Sequence, residues 1–454
     1  MTAVLALPPN RKVVLRKNAE QVIEVIADRL QNPEHIRQVA LHANNVSSLA
    51  KAHPWGELSL SHGYPGTVLL YGELDRFDPN AGWDQLAHQH LLAIQQYLEE
   101  KGYQSISLFG GITGVAFATW TASRGGERYG RLLDRLHLQI AQALKEQIRN
   151  ERARLQKEQG ASAQYYDIIV GITGIGRYLL IQKNDPQLRE LLEEILLDLV
   201  ALSKPIVVNN ETVPGWWIPQ VGQFTEQDRQ SFPKGNFNCG LAHGVPGPLA
   251  LLSLAKLEGV EVEGQQEAIQ RITEWILYWK QQDSYGVYWN DRVAWEEETE
   301  GVRHSHRHRE AWCYGTPGVA RALYLAGEAL QDEGWKATSV QAFQSVFNRP
   351  ELFWDIDSPT ICHGTAGLLE MTLQMIYNSH DEQLQIHRDY LVHRQLKDFN
   401  PDYPFGYKDL EPQTIGYRSL DKVGLLEGAV GVGLSLLSYV KGEESKWSRS
   451  LLLH

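Results

Sequence analysis

The chain has 454 residues, of which 43% are hydrophobic and 22% charged, with a formal net charge of −12. These values describe a globular protein of one large domain or two to three ordinary ones, and the acidic balance argues against a general nucleic-acid binder, which presents a basic face. Residues 1–15, broken by Pro8, Pro9 and charges, form neither a signal peptide nor a membrane span, and three cysteines in so long a chain make no disulfide framework, so the expected location is the cytoplasm, where thiols stay reduced.

Residues 1–58 read as an N-terminal helical segment. From about residue 59 to 440 one phrase, Gly-x-x-Gly, returns seven times, with its first glycine at Gly63, Gly111, Gly171, Gly244, Gly315, Gly364 and Gly428. The gaps are 48, 60, 73, 71, 49 and 64 residues, the spacing of a repeat architecture. Each phrase opens an apolar run, such as Thr67-Val68-Leu69-Leu70-Tyr71 or Val319-Ala320-Arg321-Ala322-Leu323, which reads as a buried helix. Between phrases lie amphipathic helices expected at residues 83–100, 131–156, 188–202 and 266–281. In the second of these Leu132, Leu133, Leu136, Ile140 and Leu144 recur at helical spacing. Each repeat is thus one buried and one half-exposed helix. An open solenoid of such hairpins needs polar caps, and the first and last copies are as apolar as the rest. A closed ring, with the buried helices inside and a single domain spanning 1–454, is the expected architecture.

Three insertions interrupt the rhythm. Residues 204–238 carry Trp216 and Trp217. Residues 283–309 carry a strand candidate at 285–289, then acids, then the run Arg303-His304-Ser305-His306-Arg307-His308-Arg309. Residues 398–422 are rich in proline, glycine and tyrosine. Long insertions on a helical scaffold are where substrate contacts usually sit. The histidine run reads as a solvated basic loop suited to an acidic stretch of peptide.

Aligned on the first glycine, the preceding position holds His62, Gly110, Val170, His243, Tyr314, His363 and Glu427. The position before that includes Cys313 and Cys362 in consecutive repeats. Repetition therefore gathers two thiols and an imidazole, Cys313, Cys362 and His363, at one end of the barrel. Two Cys and one His make a three-ligand zinc site with an open fourth position, the arrangement of catalytic zinc. The alternative is a pair of buried core thiols. Zinc with two thiolates and a neutral imidazole is formally neutral, and a bound substrate thiolate would make it −1, which favours sulfur alkylation over hydrolysis. His62 and Glu427 read as lining, with no ligand set between them. Cys239 reads as a spectator thiol, though a fourth protein ligand would close the site.

The phrases Trp312-Cys313-Tyr314-Gly315, Cys362-His363-Gly364, Leu241-Ala242-His243-Gly244 and Tyr166-Asp167-Ile168-Ile169-Val170-Gly171 resemble those of the lanthionine synthetase C family. The resemblance covers nearly the whole chain and implies an all-α fold, an α/α toroid. It implies Zn2+ held by Cys313, Cys362 and His363. It also implies a lanthipeptide cyclase, in which a cysteine thiolate of a precursor peptide adds to a dehydroalanine or dehydrobutyrine and the resulting enolate is protonated. By the same resemblance His243 is the acid/base, Asp167 its catalytic partner, and Arg309 a cation near the reacting centre. Tyr314 is a hydrogen-bonding group. The competing readings are a core histidine for His243, a helix cap for Asp167 and turn packing for Tyr314. No dehydratase region precedes the first repeat, so the implied partners are the dehydrated precursor with its leader, a separate dehydratase and an export transporter. The implied setting is a cytoplasmic complex peripheral to the membrane, without an integral membrane segment. Two rival readings keep the fold: an enzyme adding glutathione to dehydrated residues in proteins, and a binding scaffold in which zinc is only structural.

Overall fold

The computed structural model describes residues 8–157, 159–305, 307 and 309–454. Residues 1–7 of the N-terminal reading, and His306 and His308 of the histidine run, lie outside the described residues. Seven inner helices follow the seven phrases: Tyr64–Phe77, Ile112–Thr121, Ile172–Ile181, Pro246–Leu257, Thr316–Leu330, Thr365–Ser379 and Ala429–Lys441. In six of them the first glycine is the N-cap, and in the fourth Val245 takes that place. The second glycine lets the helix close on its own turn. A Cβ at Gly431 would lie 2.1 Å from the Leu425 carbonyl and 2.6 Å from Ile361 of the preceding repeat. Gly315 is different, because its φ of +104° itself favours glycine.

The described residues fall into two compact units. One comprises those up to Leu136 together with Ile356–Arg449. In it the turns before the inner helices are stitched by backbone hydrogen bonds. Cys362 N donates to Leu426 O at 2.8 Å, Leu425 N to Leu60 O at 3.0 Å and Ser61 N to Phe109 O at 3.2 Å. The last repeat therefore sits beside the first, as ring closure requires. Helices Trp83–Lys101 and Glu382–Asp398 are amphipathic partners of Tyr64–Phe77 and Thr365–Ser379. After Ala429–Lys441 comes only the 3-10 turn Trp447–Leu451. Its outer partner is instead the N-terminal helix Pro9–Arg29, which packs on it, and Tyr71 Oη donates to Ala27 O at 2.7 Å. The segment expected to precede the repeats thus completes the seventh.

This unit buries Glu370, whose Oε1 accepts from Gln374 at 3.1 Å while Oε2 has no hydrogen-bond partner. Burial raises its pKa from 4.5 to about 7. Between those values the unfolded chain loses the proton and the folded chain keeps it, so stability falls as pH rises from 4.5 to about 7. The cost reaches about 3 kcal/mol above that window. Glu370→Gln is expected to flatten this slope, so that at pH 8 the variant melts higher than the wild-type protein and at pH 4 it does not. Denaturation midpoints across pH check this.

The second unit comprises His137–Asp355 with Ser450–His454. Here Ile168 N donates to Ala242 O at 3.1 Å and Ala242 N to Cys313 O at 3.3 Å, so the third, fourth and fifth phrases lie side by side in order. The outer helices are Pro186–Ser203, Gln265–Tyr278 and Glu333–Asn348, and most of helix Gly130–Leu155 also belongs to this unit. The helix expected to reach residue 281 stops at Tyr278 because Gln281–Asp283 pairs with Gly286–Tyr288, the strand expected at 285–289. The sequence offered no period for the other strands. Ile206–Val208 pairs with Glu211–Val213, and Asn236–Asn238 with Arg292–Ala294, joining the first two insertions. In the first unit, Asp409–Pro412 pairs with Tyr417–Leu420 within the third insertion. No helix among the described residues is long and apolar enough to cross a membrane.

Candidate active site

The turns that cap the inner helices carry two clusters, one in each unit. In the second unit His243 Nδ1 donates to Asp167 Oδ2 at 2.6 Å. Asp167 is fully buried, and its other oxygen, Oδ1, accepts from Val170 N and Gly171 N, each at 2.8 Å. Asp167 therefore ties together the turn before helix Ile172–Ile181 and holds the His243 ring by one hydrogen bond. The His243 ring rests against Phe224 at 4.7 Å and lies 6.2 Å from Tyr314 between centroids.

Tyr314 is the hub of a second set of bonds. Its hydroxyl accepts from Arg292 Nη2 at 3.0 Å and from Asn238 Nδ2 at 3.2 Å, and the Arg292 guanidinium lies 4.7 Å over its ring. Burial raises the Tyr314 pKa against the lowering effect of Arg292, so the phenol stays protonated at neutral pH. Asn238 and Arg292 face each other because their strands pair. Arg309, the arginine expected from the sequence, buries its Nε without a hydrogen-bond partner. Arg292 was not anticipated, since one arginine in a long insertion carries no motif. Trp312 is fully buried and its Nε1 donates to Leu451 O at 3.1 Å, a packing role. Cys313 is 7% exposed in the same turn. Cys239 is buried, its Sγ donating to Phe237 O at 3.7 Å, and burial raises its pKa. A cavity of about 680 Å3 elsewhere in this unit is lined by Tyr165 and Tyr166 but by none of His243, Cys313 or Tyr314, and so is not this site.

In the first unit Cys362 and His363 stand together with Glu427. One potential ligand atom from each lies within 4.8 Å of the others, a group able to hold a metal ion. Glu427, read from the sequence as lining, thus stands beside the thiol and the imidazole, while His62 is not part of the group. The backbone bond from Cys362 N to Leu426 O draws the sixth and seventh phrases together, and that carries the Glu427 side chain to the thiol and imidazole. His363 Nε2 donates to Asp409 Oδ1 at 3.2 Å, and Ser358 Oγ donates to the same oxygen at 2.7 Å. Lys422, 5% exposed, reaches Asp409 Oδ2 and Glu427 Oε2, both at 2.8 Å, and Glu411 Oε1 at 3.4 Å. Burial opposes the Lys422 charge, but Glu427 and Asp409 outweigh it and raise its pKa. Burial likewise opposes the charge of Asp409. The hydrogen bond from His363 and the nearby Lys422 lower its pKa, so it stays an anion. Two of the three ligands expected from sequence, Cys362 and His363, are thus brought together, while Cys313 belongs to the turn in the other unit. Asp409 and Lys422 come from the third insertion and its flank, where no repeat position announced them.

The chain is similar to the nisin biosynthesis protein NisC of Lactococcus lactis subsp. lactis, with 29% identity over 319 residues, 70% of this chain and 73% of that protein. Its fold matches the solved structure of a nisin cyclase with a TM-score of 0.76 at 24% identity, over 96% of this chain and 97% of the other. That likeness bears out the expected all-α fold, an α/α toroid. The family model described as lanthionine synthetase C-like protein matches residues 54–452, and the chain belongs to that family.

Proposed function

We propose that the chain is a zinc-dependent lanthipeptide cyclase, a single domain that closes thioether rings in a dehydrated precursor peptide. The observation that carries this is the Cys362–His363 pair, with a carboxylate on the imidazole, in a chain of this family. Thiol and imidazole are zinc donors. A ligating histidine typically turns its other nitrogen to a carboxylate, as His363 does to Asp409. Cys313 is the second thiolate, on the strength of the family resemblance. Bound zinc would supply a lowered thiol pKa and so a nucleophilic sulfur at neutral pH.

The chain's own residues handle protons and charge. With Nδ1 on Asp167, His243 carries protons at Nε2. It takes the proton of the peptide cysteine and returns one to the α-carbon after sulfur has bonded to the β-carbon, so the peptide mass is unchanged. The Tyr314 hydroxyl, kept protonated by burial, donates to the acceptor's carbonyl oxygen as negative charge develops there. Arg309, with its buried unpartnered Nε, offers a further donor. The peptide comes from a separate dehydratase and leaves through an exporter, and the enzyme works in the cytoplasm, peripheral to the membrane.

The test is incubation with a dehydrated precursor, reading thiols by alkylation and mass. Loss of labelled thiols at constant mass is expected. Thiols that stay fully labelled contradict the reading. Mass gain by glutathione, when glutathione is added, favours the glutathione-transferring alternative.

A further inference from the structure

We propose that Arg292 is a positioning residue for the reaction: together with Asn238 it takes up the acceptor sites of the Tyr314 oxygen and commits that hydroxyl to donating. This rests on the cyclase reading above, in which Tyr314 donates to the acceptor's carbonyl oxygen. A hydroxyl oxygen has two lone pairs and one proton. Arg292 Nη2 donates to Tyr314 Oη at 3.0 Å, and Asn238 Nδ2 donates to it at 3.2 Å. Neither contact can run the other way. A guanidinium has no acceptor atom. The Asn238 amide is held with its nitrogen toward Tyr314, because its Oδ1 accepts from Gly240 N at 2.9 Å. The bond left to the Tyr314 hydroxyl is therefore the one it donates.

The surroundings fix the ring as well as the oxygen. The Arg292 guanidinium lies 4.7 Å over the Tyr314 ring, and its Nη1 donates to Asp291 O at 3.1 Å. Arg292 and Asn238 are register partners on two paired strands, and Cys239 N donates to Asp291 O at 3.0 Å where that pairing ends. Gly240 lets the ring come close, since a Cβ there would lie 2.4 Å from both Tyr314 Cδ1 and Cε1. The backbone oxygen of Asn238 accepts from Val245 N at 3.1 Å, so one residue ties the Tyr314 hydroxyl to the turn that carries His243. The pairing of the first two insertions thus holds the donor and the acid/base, whose rings lie 6.2 Å apart, on one frame. A cation bonded to the phenol oxygen also strengthens what the hydroxyl donates, because linked hydrogen bonds polarise one another.

The experiment measures kcat and KM of the full chain for thiol loss from a dehydrated precursor, in the wild-type and the Tyr314→Phe backgrounds. Arg292→Met keeps the length of the side chain and removes the donor. It is expected to lower kcat by about tenfold or more, the scale of one hydrogen bond from a charged group, with KM unchanged within about twofold. Asn238→Asp keeps the size of the side chain and the oxygen that holds Gly240, but it replaces the donor by an acceptor that draws the Tyr314 proton to itself. It should lower kcat at least as much. In the Tyr314→Phe background neither change should lower kcat by more than about twofold further, because both act through the hydroxyl. Wild-type kcat in both single variants overturns the proposal, as does wild-type kcat in Tyr314→Phe. So does the same fold-loss in both backgrounds, which marks a structural role. If Arg292→Met does not fold, the near-isosteric Asn238→Asp decides alone. If the wild-type protein leaves every thiol labelled, the cyclase reading fails and this inference with it, a result distinct from an active wild type with unaffected variants.

Discussion

Replacing Cys362 with alanine is expected to remove stoichiometric zinc and to lower cyclisation of a dehydrated precursor by at least about a thousandfold. A thiolate ligand supplies both metal affinity and the excess negative charge that keeps a bound sulfur reactive. The protein should stay folded. Cys362 is half-buried at the mouth of a turn, and its backbone bond to Leu426 does not depend on the side chain. Zinc content by emission spectroscopy and a melting curve separate the two effects. Unfolding together with metal loss would instead favour the scaffold reading, in which zinc is structural.

The second large effect concerns the pair His243–Asp167. His243→Asn is expected to reduce turnover by about a hundredfold to ten-thousandfold, the usual worth of a positioned acid/base, with zinc content unchanged. Asp167→Ala should be slower still to purify in folded form. It removes the partner of His243 and also strands the buried Gly171 amide, worth about 1–3 kcal/mol for a buried donor left unpaired, together with the more exposed Val170 amide. Asp167→Asn keeps an oxygen for those amides and should recover most of the stability, but not the activity. A neutral amide neither holds the same tautomer nor stabilises an imidazolium. Equal stability losses in the two Asp167 variants would contradict the double role.

The helical repeat was legible because glycine marks each turn and each following run is apolar on most sides. Aligning on that glycine also put His243 and His363, and Cys313 and Cys362, in matched positions. The stitched turns bear out those positions within each unit. What lay beyond reading depended on contacts rather than pattern. The N-terminal helix Pro9–Arg29 carries no Gly-x-x-Gly phrase, so its place as outer partner of Ala429–Lys441 had no marker. Glu427 filled the expected position, but its meaning needed its neighbours. Placing the last phrase beside His363 and Cys362, rather than only beside His62, would have exposed the ligand group. Lys422, Asp409, Arg292 and Asn238 come from or flank irregular insertions, whose short strands are too brief to give a period of two. Their roles follow from pairing partners far apart in sequence.

The central claim is that this chain forms thioether rings by zinc-activated thiol addition. The most direct measurement is thiol labelling of a dehydrated precursor after incubation with zinc-depleted protein and with the same protein restored with one equivalent of zinc. The account predicts labelled thiols throughout in the depleted sample. It predicts their loss at unchanged peptide mass once zinc returns. Equal loss of thiols in both samples, or none in either, would contradict it.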